Sequence, residues 1–378
     1  MLLAIGMISS IRLDKARRLL RLASPQQRGL RKVVLNTKKG RRAYWLKSPT
    51  GGSLQPNVKS QKLSASAFKS KAITFLGKDL EALSSFADEI VKKKVALYNL
   101  RQELESRQKS IDQDIDEIGQ ALSLGDDFGM DDINKAMAKL DKESRGDQKI
   151  LRFVGMRLQQ SSKSGQIIKR IEAEIDEARE DIEQDESTLR KRLDKDDLKK
   201  RIGKVSGLSV KESSQLLAEL NVGSLKGSGT NKKEVVEILD SLFQTVGKKL
   251  FNDDGECYLE TVLYKKDKHI PDYEAAIKTV NVGRVNEYGG TEVILYHEIG
   301  HAIEESQGYA ESNVDWIRIR GEKLFNHSYS TKIYTWKGKD FATEITSTGM
   351  EMLASQDSLM VQFLFDRDHF LVTLGQII

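Results

Sequence analysis

His297-Glu298-Ile299-Gly300-His301 sets two imidazoles four residues apart with a carboxylate between them. At 3.6 residues per turn, a helix over this stretch puts both His side chains on one face. Two neutral imidazoles give Zn²⁺ two nitrogen ligands, and Glu298 is placed to take a proton from water that the metal activates. The chemistry this implies is hydrolysis of a peptide bond. The bland alternative is an amphipathic helix whose two His pair with Glu304, Glu305 or a backbone carbonyl. Only five His occur in 378 residues, which weighs against chance spacing.

A helix is expected here on independent grounds. Gly289-Gly290 breaks the chain, Thr291 can cap, and Val293, Ile294, Ile299 and Ile303 supply an apolar face beside the ligand face. A catalytic zinc needs a third protein ligand and an open position. His327 and Glu344 lead the candidates. Residues 340–353 read as a later helix carrying Glu344 and Glu351 seven residues apart, nearly on one face; their bland reading is two solvated carboxylates. Between the two helices, residues 325–336 form a polar aromatic stretch suited to a loop or hairpin. Negative charge develops on the carbonyl oxygen during hydrolysis, and His327, Tyr334 or Tyr329 could each stabilise it. Upstream, residues 276–286 alternate enough to be a strand, through Ile277, Val280, Val282 and Val285.

The compact pattern with a third His soon after a Gly is absent, since Ala302 to Tyr309 follow His301 without one. The chain therefore does not resemble the three-His metzincins. It resembles the gluzincin arrangement, which implies Glu on a later helix as third ligand: Glu344, with Glu351 as the alternative ligand or as the partner that orients a ligand imidazole. By analogy with zincin-like folds, Thr279 to Asn286 would be an edge strand aligning a substrate backbone. Residues 296–303 together with 343–351 also resemble predicted zinc-peptidase-like domains of bacteriophage structural, head-morphogenesis and mobile-element proteins. That resemblance covers roughly the last third of the chain. It implies a phage or prophage setting, and supplies no substrate.

Composition sets wider limits. A chain of 378 residues exceeds what one core usually serves, so two or three domains are expected. The balance of 31% charged against 39% hydrophobic residues suggests extended helical parts. Cys257 is the only cysteine, which excludes an internal disulfide framework and favours a reducing compartment. Met1 to Ile8 is apolar but lacks a preceding charged region, and Arg12 follows too soon for a membrane span or ordinary signal peptide. An organelle transit peptide is the other reading of an Arg-rich start.

Residues 1–71 carry 17 Lys or Arg and one acid, Asp14, which favours an anionic partner such as nucleic acid, an acidic protein or a membrane face. Residues 31–46 read as a basic β-hairpin whose Tyr44 and Trp45 either stack on bases or pack on a core. Residues 48–70 read as a linker. No proline occurs from Asn57 to Ile270. Within that span Leu76, Leu83, Ile90, Leu97, Leu104, Ile111 and Ile118 recur every seven residues, as do Ile168, Ile175, Ile182 and Leu189. This spacing means a seam between long helices. Breaks at residues 123–131 and at Gly165 predict a helical hairpin or three-helix arm, and Lys94, Arg101 and Gln108 argue against a strict two-stranded coil. A loose bundle, or an arm completed by a helical partner or second copy, fits better. The acidic face from Glu172 to Glu186 reads as solvated surface. Residues 205–245 resemble a SAP-like helix-extended-helix module, which implies DNA-backbone contact by the link and second helix, here from Lys226 to Lys233; a plain helical hairpin is the alternative.

The expectation is a mostly helical α+β chain: a basic segment with hairpin and linker (1–71), a long helical hairpin or coiled-coil arm (72–202), a small SAP-like module (203–249) and a zincin-like α+β domain (250–378). Its expected function is zinc-dependent peptide hydrolysis with His297, His301, Glu344 and Glu351 at the metal and Glu298, Tyr334 and His327 in the chemistry. The alternatives are a virion scaffold with an inert zinc domain, or a DNA-binding protein. The expected location is cytoplasmic or virion-associated.

Overall fold

The computed structural model describes residues 63–125, 128–143, 148–321, 328–336 and 339–378. The expected basic hairpin and most of the linker lie outside them, as does His327. The described chain is mostly helical with a small sheet, and divides into two compact units: residues up to Ala82 with Leu193–Ile378, and Leu83–Arg192. Among the described residues no helix is long and apolar enough to cross a membrane.

The chain enters through α1 (Ala65–Leu76), where the sequence reads as linker as far as Ser70. The helix forms because Ser64 caps it, accepting from the Ala67 N–H, and because Phe68, Ala72 and Leu76 share one buried stripe. Gly77, at φ 72°, ends it, so Leu76 belongs to α1 rather than to the arm's seam.

The arm unit consists of the body of α2 (Asp79–Ala121), with α3 (Met130–Glu143) and α4 (Gln148–Arg192). α2 and α4 run antiparallel. Lys93 pairs with Asp181 and Asp185, each at 2.7 Å, and Lys94 with Glu186 at 2.7 Å. At the far end Arg157 reaches Asp114 at 2.8 Å. Part of the expected solvated acidic face is thus spent on cross-helix pairs, and Lys94 is accommodated by Glu186. The seven-residue seam is buried at Leu83, Ile90 and Ile118 and only half-buried at Leu97, Leu104 and Ile111. α3 closes the end of the hairpin, where Ile118, Ile133 and Val154 form a small core. Gly165 does not break α4: a lone helical glycine costs about 1 kcal/mol, too little to interrupt a 45-residue helix.

The other unit continues with α5 (Lys195–Ser206), α6 (Val210–Glu219), β1 (Asn221–Val222) and α7 (Lys232–Val246). Ser209 and Glu212 form a reciprocal capping box on α6, and Asn231 caps α7. The helix-extended-helix pattern is present, but it does not stand apart. β1 pairs in parallel with β2 (Thr261–Leu263), and Val235, Leu239, Leu242, Phe243 and Val246 bury one face of α7. With β3 (Asp272–Glu274) and β4 (Thr279–Asn281) the sheet has the order β1-β2-β4-β3, parallel except for β3. The expected edge strand over residues 279–286 is therefore corrected. β4 is three residues long and sits inside the sheet, Val285–Glu287 form a 3₁₀ turn, and the edges are β1 and β3.

Next come α8 (Thr291–Gln307), α9 (Ala310–Arg320), a hairpin of β5 (Ile333–Trp336) and β6 (Lys339–Thr343), then α10 (Ile345–Met350), α11 (Gln356–Phe365) and α12 (Arg367–Ile377). α12 packs on α1 so closely that a Cβ at Gly375 would fall 2.0 Å from the Phe68 carbonyl oxygen. Trp316, Ile317, Ile345 and Val372 form a core joining α9, α10 and α12.

Candidate metal centre

α8 carries the two imidazoles. Leu295, Tyr296, Ile299, Ala302 and Ile303 are fully buried along it, each large apolar side chain contributing about 1.5–3 kcal/mol. That burial fixes the helix rotationally and so aims His297 and His301. Thr291 does not cap it: the N-cap is Gly290 at φ 99°, Thr291 is the first helical residue, and no side chain closes the end. The glycine pair turns the chain directly into the helix.

Gly300 sets the distance to the third candidate ligand. A Cβ there would lie 2.5 Å from Ser347 Cα, so only glycine lets α8 and α10 approach this closely. Glu344 immediately precedes α10 and is wholly buried. The expected single helix over 340–353 is replaced by strand β6, a bend at Glu344, α10 and a 3₁₀ turn from Glu351 to Leu353. Pairing of residues 339–343 with β5 overrides local helix propensity. The buried Glu304 carboxylate, one turn beyond His301, secures this junction by accepting from the Thr343 N–H at 2.8 Å and the Thr343 hydroxyl at 2.9 Å.

Three side chains converge. His297 Nε2 and His301 Nε2 each lie 3.2 Å from Glu344 Oε2, and ligand atoms of the three all fall within 4.8 Å of one another. Two nitrogens 3.2 Å from one carboxylate oxygen form a group that could hold a metal ion. Glu351 does not join the three. Its Oε1 lies 2.8 Å from His297 Nδ1, the ring nitrogen turned away from Glu344. The two carboxylates seven residues apart therefore hold opposite edges of one imidazole. Ser347 donates to Glu344 Oε2 at 2.8 Å, and the Tyr334 hydroxyl donates to Oε1.

Electrostatics follow from burial. Burial works to lower the His297 pKa, but hydrogen bonds with Glu344 and Glu351 outweigh it and hold it well above the ordinary value. His301 is likewise raised, the Glu344 charge overcoming burial. Glu344 is held well below the usual carboxylate range by the two imidazoles, although burial pushes the other way. Glu298, 4% exposed, is pushed up to about 7 by burial, partly opposed by both imidazoles. Burial also raises Glu304 to about 7 against the Thr343 donors.

Of the residues singled out from sequence, His297, His301, Glu344, Glu351, Glu298 and Tyr334 occupy one neighbourhood. His327 and the Tyr329 side chain lie outside what is described. Lys226, Lys232 and Lys233 are exposed along the link and the start of α7, Lys233 facing Glu237 at 3.8 Å. Sequence reasoning missed Gly300, Ser347 and Lys332, and it offered Glu304 as a partner for the imidazoles, whereas its carboxylate accepts from Thr343. A glycine inside an otherwise apolar helix face was the available signal for the first; nothing local marked Ser347 or Lys332. No family model, curated protein or solved structure matches this chain.

Proposed function

We propose that the unit containing α8 is a zinc-dependent peptide hydrolase of gluzincin type. His297, His301 and Glu344 would hold the ion. When bound, zinc supplies a Lewis acid that acidifies water and polarises a carbonyl. Glu298 is the general base: it follows His297 directly in the chain and its buried carboxyl interacts with both imidazoles. Glu351 orients His297 by accepting from Nδ1, which turns Nε2 toward Glu344 and the metal position. The observation that carries the reading is the shared 3.2 Å approach of two Nε2 atoms to one buried carboxylate oxygen.

Glu298→Gln tests it, since an amide cannot take a proton from water. The variant should keep its zinc and lose about 10²–10⁴-fold in cleavage of a peptide library or of its own chain. Equal processing by both proteins would sink the hydrolase and leave the inert zinc scaffold.

A further inference from the structure

The zinc reading leaves open what fixes Glu344. Its carboxylate divides its two oxygens between different neighbours. Oε2 faces both imidazole Nε2 atoms and the Ser347 hydroxyl. Oε1 receives the Tyr334 hydroxyl. The direction of that last bond is set by a third group. Lys332 Nζ lies 2.6 Å from the Tyr334 oxygen, 4.2 Å from its ring centre and 4.0 Å from Glu344 Oε1. An ammonium only donates, so the phenol oxygen accepts from Lys332 and its single hydrogen goes to Glu344. The terminal torsion of a Glu side chain is broad and nearly two-fold, so a carboxylate free to rotate would present varying oxygens to the imidazoles. Glu344 is wholly buried, which denies it water as a replacement donor.

We propose that Tyr334 is a positioning residue for Glu344: its hydroxyl, steered by Lys332, pins Oε1 so that Oε2 alone meets the metal position. This rests on the zinc reading and gives the phenol a task distinct from stabilising charge on a substrate carbonyl. Partners of this kind around metal ligands typically tune affinity by about 10–100-fold.

The test uses the full chain and zinc itself. The dissociation constant is read by competition with a chromogenic chelator, well below the melting midpoint of the less stable protein, so that stability does not enter the value. Tyr334→Phe should weaken zinc binding by about 10–100-fold. Saturating zinc should then restore most of its peptide cleavage, because only positioning was lost. A zinc affinity within about threefold of wild type overturns the inference. If cleavage nevertheless falls and excess zinc does not restore it, the phenol acts on the substrate and the hydrolase reading stands. Failure of the wild-type chain to bind zinc would remove both proposals together.

Discussion

The arm and the unit that holds α8 both place charged groups between packed elements, but they surround them differently. In the arm, each base meets an acid on the facing helix: Arg157 meets Asp114 and Glu117, Lys93 meets Asp181 and Asp185, and Lys94 meets Glu186. Such pairs fix the register of the two helices. In the unit that holds α8 three carboxyl groups, Glu298, Glu304 and Glu344, are buried to 4% exposure or less near two imidazoles. Burying charge is costly, and these groups answer it differently: Glu298 and Glu304 are pushed up to about 7 by burial, whereas Glu344 stays well below the usual range between the two imidazoles.

Substitutions can break this contrast from the metal side first. Glu344→Ala removes a ligand and should cost more than 100-fold in zinc affinity, whereas Glu351→Ala removes an orienting partner and should cost about 10–100-fold. The opposite order, read by zinc competition, would exchange their roles. Gly300→Ala should be felt next. The added methyl meets the Ser347 backbone at 2.5 Å and must push α8 from α10, lowering thermal stability by about 1–3 kcal/mol and weakening zinc binding with it. On the arm side, Asp114→Ala takes the buried one of two acids from the Arg157 guanidinium, which keeps Glu117, at about 1–3 kcal/mol. That loss should show in denaturant unfolding while zinc affinity stays unchanged. Coupling between the two would blur the distinction drawn here.

How much was readable from sequence follows the same physics. The metal helix was legible because its spacing and its apolar face agree over several turns. Glu344 was legible as a residue type and not as a backbone position: a strand and a bend deliver it, through pairing of β6 with β5 and the Glu304–Thr343 contact, both non-local. The seven-residue seam anticipated long helices, yet Gly165 looked like a break because the strength of the surrounding helix is not visible at one residue. Residues 279–286 read as an edge by analogy alone, since alternation does not reveal which neighbours a strand acquires. α1 was hidden in Ser-rich composition: its Ser64 cap and the start of its Phe68, Ala72 and Leu76 stripe read as linker until α12 packs on them.

Zinc stoichiometry by equilibrium dialysis, compared between the wild-type chain and His301→Ala, tests the central claim most directly. Convergence of His297, His301 and Glu344 on one ion predicts one zinc per wild-type chain and a loss of stoichiometric binding in the variant. A variant that retains a full equivalent of zinc at wild-type affinity, or a wild-type chain that takes up none, would contradict it.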